Sequence, residues 1–221
     1  PAVTDVTDTI DTSTVSLTAT STVAEGGTVV YTASVNAPVT GAPLVINLSN
    51  GQSITIPVGS SSGSVNFVTQ NDALAGGDNL SVKIDDAQGG NYEKLDIDAT
   101  PADTTVTDVQ DSTGLSLSAT DSVAEGGQIT YTATLTNAAG TPVTVTLSNG
   151  AVINIAAGAT TGTVTVDAPK DDVYKDAGKV EVSIDNATGG NFENLVPSTT
   201  PAVTDVTDTI DTSTVSLTAT A

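Results

Sequence analysis

The sequence predicts an all-β protein built of tandem seven-strand Greek-key sandwiches arranged end to end. Val, Ile, Leu and Thr alternate in short runs, as strands with one buried face require. Gly, Asn and Asp punctuate those runs at regular intervals. The whole pattern then repeats with a period of 100 residues, and residues 201 to 220 reproduce residues 1 to 20 letter for letter. So long a period marks whole domains on a string, because solenoid units are shorter and cannot fold alone. A single 200-residue double sandwich is the other architecture compatible with this length.

Within one period the elements follow in order. Val15 to Thr20 alternates apolar and hydroxyl residues until Glu25-Gly26-Gly27 interrupts it, and Thr28 to Asn36 carries Val29, Tyr31, Ala33 and Val35 on one face. These are strands A and B. Leu44 to Leu48 and Ile54 to Val58 flank Ser49-Asn50-Gly51-Gln52, where Asn-Gly between alternating runs is a strong hairpin signal. The second period keeps it as Asn149-Gly150. Val65 to Thr69, Leu80 to Asp85 and a last strand between Glu93 and Val109 complete seven strands, an immunoglobulin-like arrangement. No Cys, Trp, Cys set of antibody domains is present, so the likeness concerns architecture. The complete repeats span 12–111 and 112–211; residues 1–11 read as the last strand or linker of a preceding repeat, and 212–221 as the first strand of a following one. The prolines at 1, 101 and 201 offer an alternative phase.

Composition excludes several classes. Five Lys oppose 26 Asp and Glu, for a formal net charge of −21. Phosphate binding needs clustered cations, so nucleic acid and anionic membrane are unexpected partners. No apolar run approaches the length of a membrane span, so no membrane insertion is expected. Acidic chains poor in aromatics can be disordered, but the regular strand alternation argues against that here. With no Cys and no His, thiolate metal sites, disulfides and the usual nucleophile and base pairings cannot be built. The opening on Pro1, without Met or a leader-like segment, reads as an internal fragment.

The linked motifs VAEGG, YTA, LSNG, ATGGNFENL and TPAVTDVTDTIDTSTVSLTAT resemble the immunoglobulin-like extender repeats of giant RTX adhesins. That family includes the LapA-type biofilm adhesins and the ice-binding adhesin of a marine bacterium. The resemblance covers essentially the whole chain. It implies an extracellular protein of the bacterial cell surface, exported by type I secretion, whose repeats hold a distal ligand-binding region away from the cell. It also implies Ca²⁺ at or near the domain junctions. The glycine-rich nonapeptide calcium repeat is absent, which places this segment in the extender portion.

In a seven-strand sandwich of this type, the AB and EF loops lie at the end where the chain exits. That end offers Glu25, Asp72, Asp103, Asp108 and Asp111 in the first repeat, and Glu125, Asp172, Asp205, Asp208 and Asp211 in the second. The FG region adds Asp85 and Asp185, and the opening segment adds Asp5, Asp8 and Asp11. These are the candidate metal ligands. Uncompensated, such clusters repel themselves, whereas Ca²⁺ takes six to eight oxygens in flexible geometry and suits a loop-built cage better than Mg²⁺ does. Asp5, Asp8 and Asp11 cannot all face one ion from a flat strand, so more than one ion or a bend is expected. No EF-hand pattern occurs. Asp96, Asp98, Asp121 and Asp167 read as turn and solubility residues.

The expected function is a structural spacer, not an enzyme, with neighbouring repeats of the same chain as partners and no small-molecule substrate. The alternative is an adhesive domain that itself binds sugar, protein or ice. A ligand site needs a distinctive patch, whereas this sequence repeats its periods without a unique insertion.

Overall fold

The computed structural model describes residues 1–220. They form two compact units: Pro1–Asp72 with Gly76–Val109, and a second that starts at Gln110 and also takes in Ala73–Ala75. Strands account for all the regular structure of the described residues.

The first unit contains β1 (Thr12–Ala19), β2 (Thr22–Ala24), β3 (Thr28–Val35), β4 (Leu44–Leu48), β5 (Ser53–Ile56), β6 (Ser62–Val68), β7 (Leu80–Val82), β8 (Ile84–Gln88), β9 (Lys94–Ile97) and β10 (Ala102–Thr107). One layer has the order β6-β3-β1-β9. The other is assembled from β2-β10-β7 and β5-β4-β8, with β7 and β8 separated only by Lys83. The seven expected strands are therefore present, but three are subdivided. Strand A changes layers: β1 pairs with β3, and after Thr20-Ser21 β2 pairs in parallel with β10. The crossing is fixed by Thr20, whose Oγ1 accepts from the Val30 amide at 3.1 Å and whose carbonyl accepts from Thr104 Oγ1 at 2.7 Å. The strand expected over Leu80 to Asp85 divides into β7 and β8, and β4 pairs with β8 through a register shift between Asn47 and Leu48. The region 93–109 yields two strands, β9 parallel to β1 and β10 antiparallel to β7. Between them Asp98 turns the chain by accepting from the Thr100 amide, just before Pro101.

The Asn-Gly hairpin joins β4 and β5 in the register Asn47↔Ser53. Gly51 takes φ +81°, open to glycine at little cost, and Asn50 Oδ1 accepts from the Gln52 amide.

The second unit repeats the plan with β11 (Ser112–Ala119), β12 (Ser122–Ala124), β13 (Gln128–Leu135), β14 (Val143–Leu147), β15 (Val152–Ile155), β16 (Thr161–Asp167), β17 (Gly178–Val182), β18 (Ile184–Gly189), β19 (Asn194–Pro197) and β20 (Ala202–Thr207). Its core gathers Leu115, Ile129, Tyr131, Val145, Ile153 and Ile155, the inward residues of alternating strands. The first unit's core uses Val15, Tyr31, Leu44, Ile46, Ile54 and Ile56 in the same way.

The terminal duplication shows that partners, not local propensity, decide strand formation. Residues 202–207 form β20 between β12 and β17, while the identical residues 2–7 form no strand. Conversely, 12–19 form β1 beside β3 and β9, while the identical 212–219 do not. A strand with an apolar face and no neighbour gains neither ladder hydrogen bonds nor burial.

Tyr31 and Tyr131 are wholly buried, and neither hydroxyl has a hydrogen-bond partner. Burial raises the pKa of both phenols. An unpaired buried hydroxyl carries a desolvation penalty that an apolar isostere avoids. Tyr131→Phe is therefore expected to raise the unfolding free energy by about 1 kcal/mol, read from urea titrations, whereas a loss of stability would contradict the orphan assignment.

Candidate metal centre

The parallel register of β12 and β20 ends with Ala124↔Thr207, so the next residue of each strand, Glu125 and Asp208, lie side by side. Continuing the antiparallel register of β17 and β20 beyond Gly178↔Val206 brings Asp176 opposite Asp208. Three chain segments thus place Glu125, Asp208 and Asp176 in a row across one end of the sheet. Their carboxylate oxygens lie within 4.8 Å of one another. The backbone fixes the row: the Glu125 amide donates to Thr207 O at 3.0 Å and the Gly126 amide to Pro169 O at 2.7 Å. Gly126, at φ +68°, allows the tight turn.

Asp176 is exposed, while Glu125 and Asp208 are half-buried. Glu125 Oε2 and Asp208 Oδ1 are shielded from solvent and have no hydrogen-bond donor. Burial, followed by the hydrogen bond and charge of Asp176 and the charges of Asp208 and Asp172, raises the Glu125 pKa. Carboxylates this close repel one another, and a proton or a cation among them relieves the repulsion.

In the metal-free chain, a folded pKa raised above the unfolded value favours the protonated folded form. The stability it contributes is present below the ordinary Glu value and lost as pH rises through the raised folded one. The second unit's melting temperature in EDTA is therefore expected to fall as pH rises from the ordinary Glu range, and Glu125→Gln to flatten that dependence. A cation held by the row would reverse the slope, since protons would compete with it for the carboxylates.

The first unit has the same register, Ala24↔Thr107, followed by Glu25 and Asp108, whose carboxylate oxygens lie within 4.8 Å. Opposite Asp108 stands Gly76, whose amide donates to Asp108 Oδ2 at 2.8 Å. One repeat supplies a backbone donor where the other supplies a third carboxylate.

The remaining candidates fall in several places. Asp72 lines a small cavity with Glu25 and Asp78. Asp172 lies near enough to Glu125 to raise its pKa, and caps its own loop by accepting from the Tyr174 amide. Asp211 lines a shallow groove with Asp208, Val173 and Tyr174. Asp11 and Asp111 sit at the opposite end of their units, where each amide donates to a carboxylate, Glu93 and Glu193 respectively. Asp5 and Asp8 are exposed in a segment without strand. Asp85 and Asp185 lie exposed on β8 and β18, not in an FG loop, and Asp103 is exposed on β10. Asp205 on β20 forms an ion pair with Lys179 at 2.9 Å. The pattern shared by the two repeats does not single out Asp176, because its counterpart by count from Val82 and Val182 is Gly76; the carboxylate gained at that place is the available signal.

No helix among the described residues is long and apolar enough to cross a membrane. No curated protein matches the chain. A family model described as the LapA domain matches residues 11–109 and again 111–209, nearly the whole chain in two tandem copies, each laid over one complete set of strands. The chain belongs to the LapA domain family and is part of a LapA-type adhesin.

Proposed function

We propose that the chain is a structural extender of a large bacterial surface adhesin, stiffened by Ca²⁺ at its domain ends. It projects a distal ligand-binding region from the cell for surface attachment and biofilm formation. The observation that carries this reading is the row Glu125, Asp208 and Asp176, in which Glu125 Oε2 and Asp208 Oδ1 are shielded from solvent and lack a donor. An all-oxygen, acidic, loop-built set matches the chemistry of Ca²⁺, which tolerates irregular geometry and takes several carboxylates. Glu125, Asp176 and Asp208 would hold the ion in the second unit, and Glu25 and Asp108 would contribute in the first. At the opposite end of the second unit, Glu193 Oε1 is likewise shielded without a donor, which supports ligation from both ends of a repeat.

The same chemistry suits export. In calcium-poor cytosol the carboxylate rows stay charged and self-repelling, which favours an unfolded, exportable chain; outside the cell, Ca²⁺ removes the repulsion and favours the fold. The protein works as a spacer without catalysis, with adjacent repeats as its partners.

Small-angle scattering of the chain in millimolar Ca²⁺ and in EDTA tests the reading. The expected result is a longer, narrower distance distribution with Ca²⁺ and a broadened ensemble without it. Identical scattering in both conditions would overturn the stiffening role.

A further inference from the structure

We propose that the loop between β16 and β17, with Val173 and Tyr174 at its tip, is a docking segment for the turn between β8 and β9 of a further copy of this domain. The proposal rests on the reading of the chain as a stretch of a tandem array, and not on Ca²⁺.

The second unit displays the mode of docking. Its segment Ala73–Ala75 lies along the turn Gly189-Gly190-Asn191-Phe192-Glu193 as a short added strand. Leu74 forms an antiparallel bridge with Phe192. The Ala75 amide donates to Asn191 O at 2.8 Å, the Glu193 amide to Ala73 O at 3.2 Å, and Asn191 Nδ2 to Ala75 O at 3.0 Å. Two of these bonds are wholly backbone, so they transfer to any sequence that presents an extended segment there.

Val173 and Tyr174 occupy the corresponding place in the next repeat. Tyr174 precedes Val182 of β17 by the same count as Leu74 precedes Val82 of β7. Yet Val173 is 59% and Tyr174 72% exposed, two large apolar side chains side by side on a strongly acidic protein. An exposed aromatic with few rotatable bonds is well suited to anchor an interface.

The receiving turn is present twice. In the first unit Gly89, Gly90 and Asn91 take φ of +103°, +81° and +53°, against +95°, +87° and +51° at Gly189, Gly190 and Asn191. Asn91 is exposed there. The chain therefore carries one segment to dock and one turn to receive it, on different surfaces, which makes the contact heterologous and propagating. One difference tunes it. Below Leu74 lies Gly140, where an added Cβ would come within 3.2 Å of both Leu74 methyls. The first unit has Thr40 at this position, identified by the shared bond from its amide to Gly90 O. Thr40 narrows the seat for an incoming side chain.

The test uses ¹⁵N-labelled chain titrated with unlabelled chain to millimolar concentration, since tandem linkage supplies an effective concentration of about that order. It is run in Ca²⁺ and again in EDTA. Amide shifts at both Val173–Asp176 and Gly89–Glu93 are expected in both buffers. Tyr174→Asp should weaken the association more than about tenfold and Thr40→Gly strengthen it about fivefold, the worth of roughly one buried methylene or slightly more. Both positions are exposed, so neither change should affect folding. Shifts confined to one of the two segments would assign a different partner and overturn the proposal, as would an absence of shifts at millimolar chain. Shifts that persist in EDTA separate it from the Ca²⁺ reading, and shifts that require Ca²⁺ would overturn its independence of the ion.

Discussion

Removal of Ca²⁺ is expected to lower the melting temperature of the second unit by roughly 6 to 20 °C. Extracellular modules bind Ca²⁺ with dissociation constants of about 10⁻⁴ to 10⁻³ M. At about 10 mM free ion, one such site adds about 1.4 to 2.7 kcal/mol to folding. For a domain of about 100 residues, each kcal/mol moves the midpoint by about 4 to 8 °C. The effect is large because domains of this size have only about 5 to 15 kcal/mol in total. Asp176→Asn provides the specific control. Its side chain is exposed, so the substitution leaves the core intact while removing one of three converging charges. Calorimetry should show the variant somewhat more stable than the parent in EDTA at neutral pH, where one repelling charge is gone, and gaining much less than the parent on addition of Ca²⁺. Superposable melting curves of the parent chain with and without Ca²⁺ would exclude the site. The first unit, with Gly76 in place of a third carboxylate, should respond less from its own residues.

Much of the fold was legible because burial imposes a period of two. Leu44 to Leu48 has the buried, exposed alternation that its letters imply, and its Asn-Gly hairpin has the register that two-sided alternation demands. What was not legible is where a strand changes partner. The interruption of strand A at Thr20-Ser21 is invisible in hydropathy, since hydroxyl residues occupy both strand and crossing. It becomes intelligible only with Thr104 and Val30 in view. The terminal duplicates make the same point more sharply, because an identical sequence is strand in one setting and not in the other.

For the candidate centre, the sequence points to the loops more readily than to the particular carboxylates that come together. Glu125 and Asp208 come together because each immediately follows a register pair of parallel strands. Their proximity is thus a property of sheet registration, which spacing along the chain does not encode. Asp103 and Asp205 were equally acidic and nearby in sequence, but strand alternation turns them to the exposed face of their strands. Asp176 was hidden by reasoning from repeat to repeat, which favours what both copies share over what one of them gained.

Gly189→Ala is expected to be among the most damaging single substitutions in the second unit, costing about 3 kcal/mol or more. Gly189 lies at φ +95°, a region that L side chains rarely adopt. In addition, an added Cβ would lie 2.2 Å from the Pro142 carbonyl oxygen and 3.3 Å from the Val143 Cα, backbone atoms held by the pairing of β14 with β18. A flexible side chain can move aside, whereas a paired strand cannot without loss of its ladder. Gly89 repeats the situation in the first unit, at φ +103° and 2.2 Å from Pro43 O. Gly150 separates the two causes: its φ is +82°, but nothing lies within 4 Å of the added Cβ. Gly150→Ala should therefore cost only the conformational part, about 1 kcal/mol. Urea unfolding of the two variants should show Gly189→Ala losing at least about twice as much as Gly150→Ala, and equal losses would mean that the β14 and β18 pairing yields readily. A loss at Gly189 also displaces the turn that receives Ala73–Ala75, so the Asn191 amide should shift in Gly189→Ala and stay in place in Gly150→Ala.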